Sequence, residues 1–294
     1  MNWLTEPLGF EFVRNALVVC TVAGALCGLL GVFVTLRGMS YIGHGLSHAI
    51  FGGAALCAAI GVNFFVGAGI WGLASGLAVG RVTRRRIIGA DAAIGVITTA
   101  SFAFGIVLLG FYTRVKQSIE ATVFGSVLGV SSGDVLLILG VTVGSVAVIV
   151  ANYRSLLFTT FDPEVAEVTG VKVARIDALL MLLLSVAILS SMKVLGVTLI
   201  AAALVLPAVV ARMLTDSFTR MLWLSSAIGA TTGFTGMFLS YHLDVASGAT
   251  IVLTGFVVFA VVFAITGRRG LRRAAGLDDH HGPAPDVTPL RAVR

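Results

Sequence analysis

The sequence predicts an all-α fold, a polytopic transmembrane helical bundle of about eight or nine spans. Three observations predict it. The 294 residues are 57% hydrophobic and only 12% charged, with a mean hydropathy of +1.02. Soluble domains carry about twice that share of charge. Residues 15–36, 92–113, 221–243 and 245–267 hold no Lys, Arg, Asp or Glu, and residues 38–80 hold none over a length sufficient for two passes. A bilayer core asks for about 20 apolar residues in a helix. The basic residues, finally, fall unevenly between the two sides that such spans define.

The spans are expected near 12–35, 42–60, 63–80, 90–110, 133–151, 175–192, 195–212, 221–240 and 247–266. The opening "MNWLTEPLGFEF" has acids where a signal peptide needs a basic region, so the first apolar segment is expected to remain as a helix. "GVN" at 61–63 breaks the second span from the third. The stretch 37–44 is short enough to dip back into the membrane, which leaves the count open by one. With nine spans, one side receives 16 of the 20 basic residues, including Arg81, Arg84, Arg85, Arg86 and the tail arginines. That side is the cytoplasm, with the N-terminus outside and the C-terminus inside. The same bias accounts for a pI near 9.7, so nucleic acid is not expected as a partner. Membrane lipid is. The transmembrane domain is expected to cover 1–267 and a disordered cytoplasmic tail 268–294. The tail holds "DDHHGPAPD", whose His280 and His281 stand beside two acids and leave metal capture open.

Glycines recur at steps of four: Gly24 and Gly28; Gly72, Gly76 and Gly80; Gly125, Gly129 and Gly133. Small residues on one helix face let backbones approach closely. Cys20, Cys27 and Cys57 lie within spans without CxxC spacing and read as packing residues. Segment 116–134 is too polar at its start for a span and too apolar later for a free loop. It reads as a half-embedded helix before the fifth span.

Two places carry chemistry. In "GHGLSHA", His44 and His48 are four apart and share a helix face, with Ser47 beside them. Ionisable groups at membrane depth usually face a bundle interior or a water path. Neutral imidazole is a ligand for borderline metals and needs no countercharge. A metal path is the functional reading; a hydrogen-bonded structural pair is the plain one. A hydrolase of the HExxH type is excluded, because Gly45 stands where its glutamate would be.

The second place is "TTFDPEVAEVTG" in the longest cytoplasmic connection. Thr159 or Thr160 is expected to cap a helix over 162–169 that opens with Asp162, Pro163 and Glu164 and ends at Gly170. Phe161 leads into it, and Asp162, Glu164 and Glu167 form an acidic face against the positive trend of that side. It reads as a knob for a cytoplasmic partner, or as an interfacial loop helix. No GxxxxGK[ST] occurs, and no connection has room for an ATPase domain. The chain is therefore not expected to be an enzyme. Pro207, within "LVLPAVVA", marks a kink that reads as either hinge or static packing. Asp91 is expected to favour the start of the fourth span and stays a minor site candidate.

Four stretches in order resemble the ABC-type zinc and manganese importers, the ABC-3 metal permease family. They are "LRGMSYIGHGLSHAIFGGAAL", "GADAAIGVITTASFAFGIVLL", "FTTFDPEVAEVTGVKVARIDALL" and "VLGVTLIAAALVLPAVVARML", with "LSYHLDVASGATIVL" before the last helix. The resemblance implies a homodimeric permease of the type II ABC importer architecture in a bacterial plasma membrane. It implies a cytoplasmic ABC ATPase dimer that holds ATP and Mg²⁺, and an extracellular binding protein that delivers Zn²⁺ or Mn²⁺. It implies that the helix around Phe161–Gly170 docks into the ATPase, and that His44 and His48 line the ion path. Family members often carry Asp at the position of His44. Replacing that carboxylate by imidazole leans the expectation to zinc, with manganese or iron as the alternative cargo. A proton-coupled secondary transporter and a membrane scaffold remain as rivals of other classes. The first would want acids at mid-span, and none is found there.

Overall fold

The computed structural model describes residues 9–62, 64–84, 89–111, 130–196 and 199–278. The described residues form eleven helices. They are α1 (Glu11–Leu36), α2 (Ile42–Ala59), α3 (Phe64–Arg84), α4 (Ala90–Phe111), α5 (Ser132–Ala151), α6 (Tyr153–Phe161), α7 (Pro163–Val168), α8 (Val173–Leu195), α9 (Ile200–Leu214), α10 (Phe218–Leu243) and α11 (Ser247–Asp278). Each expected span has a helix at its place. Five of them, at 11–36, 91–108, 132–151, 173–192 and 247–266, are long and apolar enough to cross a membrane by length and composition, and Ile200–Leu214 is a shorter apolar helix.

Burial sorts these helices into inner and outer ones. α1 is the axis, with 72% of its apolar window buried, against 22% for α4, 17% for α5 and 22% for α11. α1 packs on α10, α9, α8 and α5. On α5, Leu136, Val143 and Val150 are exposed at steps of seven, one apolar stripe facing outward. Val96 and Val107 do the same on α4, and Leu253 and Val257 on α11. A helix packed on an apolar core inside and bare with valine and leucine outside suits lipid, not water. Hydroxyls follow the same logic: Thr21, Thr98, Thr142 and Thr266 each donate to the carbonyl four residues back, so these polar atoms do not face hydrocarbon alone.

The glycine steps work where the helices cross. Gly24 lies against the Gly229 carbonyl and Gly28 against that of Ser225, whose hydroxyl donates back to Gly28. A methyl group at either glycine would overlap the backbone of α10. Gly72 meets Ile50, and Gly76 meets Met181 and Ser185. Of the third step, Gly125 and Gly129 lie outside the described residues, and Gly133 meets only its own Ser131. The three cysteines are free, with Cys20 and Cys27 buried.

Connections are tight where they are described. Arg37–Tyr41 form a turn with Gly38 at φ +65, closed by backbone bonds from Met39 to Val34 and from Ile42 to Met39. Ser131 and Asp134 make a reciprocal cap at the start of α5. Most of the expected half-embedded helix, residues 112–129, lies outside the described residues. α11 continues to Asp278, past the expected domain boundary. His280, His281 and the rest of the tail lie outside the described residues.

Candidate functional site: a paired-histidine cleft and an exposed knob

α2 brings His44 and His48 together as their spacing predicts. The two Nε2 atoms are 3.1 Å apart, one ring donating to the other, and the rings meet edge to face at 4.3 Å. Phe102 of α4 stands edge-on to His48 at 4.5 Å and fixes its ring. The Nδ1 of His48 is buried and has no partner among the described residues. Close approach of α4 depends on small residues: a side chain at Gly45 would strike Ile94 and Thr98, and one at Gly52 the carbonyl of Ser101.

Both imidazoles line a cleft of about 300 Å³ between α2 and α4. Asp91, Thr98 and Thr99 line it from α4, and Tyr41 from the turn before α2. Asp91, read from sequence mainly as a helix-start residue, therefore belongs to the same space as the histidines. Ser47 does not. It is fully buried, and its hydroxyl donates to the His44 carbonyl at 2.8 Å, so it braces the helix between the rings. Among the described residues no three His, Cys, Asp or Glu side chains gather closely enough to hold a metal. The cleft thus offers two converging nitrogens from α2 with an acid on the α4 wall, and His44 is exposed.

The connection between α5 and α8 is more structured than its sequence suggests. α6 follows α5 directly and ends at Phe161, and the knob helix α7 starts at Pro163. Asp162 is the N-cap, accepting from Glu164 N at 3.1 Å and Val165 N at 3.0 Å. The expected cap at Thr159 or Thr160 is corrected. Those residues lie inside α6 and donate to Ser155 and Leu156 carbonyls. The cause is Pro163, which disfavours helical backbone in the residue before it; Asp162 sits at φ −149, ψ 93. Gly170 takes φ +85 just after the Thr169 C-cap. Phe161 is 60%, Val165 48% and Val168 90% exposed, so the knob is apolar as well as acidic. Ala166 is its buried foot.

One contact here has no local sequence signal. Arg37, at the end of α1, donates through Nη1 to Asp177 Oδ1 of α8 at 2.7 Å and through Nε to Thr160 Oγ1 of α6 at 3.2 Å. The pair is largely enclosed, at 10% and 19% side-chain exposure. Burial draws the Arg37 pKa below its ordinary value, opposed by the Asp177 carboxylate. Pro207 is buried in α9, which runs through it without a break.

The sequence pattern of the ABC 3 transport family matches residues 9–266. The chain belongs to the ABC 3 transport family. Within it, the chain is similar to the manganese transport system membrane protein MntC of Halalkalibacterium halodurans, 37% identical over 266 residues, which cover 90% of this chain and 91% of that one. It is also similar to a probable iron transport system membrane protein of Haemophilus influenzae, 34% identical over 265 residues covering 90% and 97%. Among solved structures, PsaBC from Streptococcus pneumoniae in complex with Fab superposes with a TM-score of 0.80 at 34% identity, covering 89% of this chain and 94% of that one. As an ABC 3 transport family member, the chain is a membrane permease subunit of an ABC-type transport system.

Proposed function

We propose that this chain is the membrane subunit of an ATP-driven importer of a first-row divalent cation, and that the ion passes His44 and His48. The observation that carries the reading is the convergence of the two Nε2 atoms at 3.1 Å on a cleft. Two nitrogens at about 2.1 Å from a tetrahedral metal stand roughly 3.4 Å apart, and about 3.0 Å apart at a right angle. The pair fits either arrangement with small ring motions. Two ligands hold an ion loosely, which suits a station the cargo must leave.

Manganese is the favoured cargo. The MntC relative is named for manganese transport. Asp91, in the same cleft, supplies the hard oxygen that manganese prefers. This moves the weight away from the zinc expected from the imidazole at position 44. Zinc stays as the second reading because both converging ligands are nitrogens. A second copy of the chain, facing the exposed His44, completes the ligand set. A cytoplasmic ATPase dimer binds ATP and Mg²⁺ and seats on the knob Phe161–Gly170. An extracellular binding protein delivers the ion at the opposite face. Nine spans put the N-terminus outside, and Pro207 gives α9 a bending point beside the path.

The test is competitive uptake of radioactive manganese and zinc by cells expressing this chain with its ATPase and binding protein, beside a His44→Asp variant. Manganese uptake, with a further shift toward manganese in the variant, is the expected result. If uptake occurs but metal preference is identical in both chains, His44 is not a selectivity ligand.

A further inference from the structure

Arg37 stands at a junction that the metal path and the knob share. It is the first residue after α1, and the backbone-bonded turn Arg37–Tyr41 leads from it into α2, seven residues before His44. Its side chain holds both arms that flank α7. Nε donates to Thr160, two residues before the cap Asp162, and Nη1 pairs with Asp177, on the first turns of the helix that follows the knob. Thr160 is able to accept because its own hydrogen is committed to the Leu156 carbonyl. The ion pair is single-pronged, and Nη2 is buried without a partner among the described residues. A guanidinium with a spare donor can follow a carboxylate through a small shift instead of releasing it.

We propose that Arg37 is the positioning residue that couples the cytoplasmic knob to the histidine-bearing helix. When the partner ATPase moves α7, Thr160 and Asp177 move with it. Arg37 carries that displacement into the Arg37–Tyr41 turn and so into His44. A flexible polar contact would not do this, since screened surface pairs are worth little. A largely enclosed pair with a third group bonded to the same guanidinium is stiff enough to transmit. Arg37 touches neither metal nor ATP; it acts through the elements it joins. The inference rests on the permease reading above.

The test uses the full complex in proteoliposomes, with manganese as the probe. Metal moved per ATP hydrolysed is measured for the intact chain, Asp177→Asn, Thr160→Val and the exchanged pair Arg37→Asp with Asp177→Arg. Expected is a fall of about fivefold or more in that ratio for Asp177→Asn, with ATPase association and ATP hydrolysis retained. A smaller fall is expected for Thr160→Val, and recovery in the exchanged pair. A merely structural pair would lower transport and hydrolysis together, leaving the ratio unchanged, and that result overturns the proposal. If Asp177→Asn does not reach the membrane, Thr160→Val decides: an unchanged ratio overturns it. An intact complex that moves no metal overturns the permease reading and this proposal together. A moving complex with unchanged ratios overturns this proposal alone.

Discussion

His48 is held more firmly than His44. Phe102 pins one edge of its ring, the first histidine meets the other, and its Nδ1 is buried without a partner among the described residues. His44 faces the open cleft. His48→Ala therefore removes the fixed half of the pair, and metal uptake should fall by about tenfold or more while the chain stays in the membrane. Whole-cell manganese uptake normalised to membrane-bound protein checks this; normal uptake would reduce the pair to packing. The pair itself was legible in the sequence, because a separation of four on a helix is enough to place two side chains together. Its surroundings were not. Asp91 and Phe102 arrive on another helix, and nothing local says which face of α4 meets α2. Ser47 misled for the same reason: adjacency to a ligand in sequence puts a side chain about a hundred degrees round the helix, here into the core.

At the scale of elements, charge-free runs located the long helices closely, since lipid leaves few alternatives to a helix of sufficient length. The expected span at 12–35 is observed as Glu11–Leu36, and that at 133–151 as Ser132–Ala151. α6 was missed, because "YRSLLFTTF" has neither a break nor a clean period to separate it from the knob. What separates them is Asp162. Asp162→Ala removes both bonds to the first turn of α7 and should cost about 1 kcal/mol of local stability. The expected readout is weaker retention of the ATPase on the purified permease, with the fold otherwise intact. The α1–α10 crossing is less forgiving. Gly24→Leu places carbon on the Gly229 carbonyl, and overpacking of this kind costs about 1–3 kcal/mol or more. A lower Tm of the purified chain, and less protein in the membrane, should follow; an unchanged Tm would mean the helices can part cheaply.

For the whole molecule, the ordering is an inner axis of α1 with outer helices whose valines and leucines face lipid. The sign of the loops carries the expectation of which way up it sits. On the nine passes proposed, the termini stand on opposite sides, and the basic excess is expected to put the C-terminus in the cytoplasm. A fluorescent protein fused after residue 294 should glow, and a phosphatase fused there, active only when exported, should be silent. The reverse pattern would remove or add one pass, with 37–44 the first place to look. The pairing of Arg37 with Asp177, 140 residues apart, belongs to this scale too and was invisible in sequence. Each charge alone resembles the ordinary decoration of a membrane edge.

The knob has a consequence for the cell as well as for the transporter. Phe161, Val165 and Val168 stand bare, with Val168 90% uncovered, and the expected orientation puts them on the side where proteases and chaperones work. Such a patch stays harmless only while something sits on it. If the proposed ATPase is what covers it, a chain made in excess of that partner carries a visible mark of being an orphan, one that quality control can read without sensing transport at all. On the proposed assembly, three side chains would then call for balanced synthesis of the two subunits.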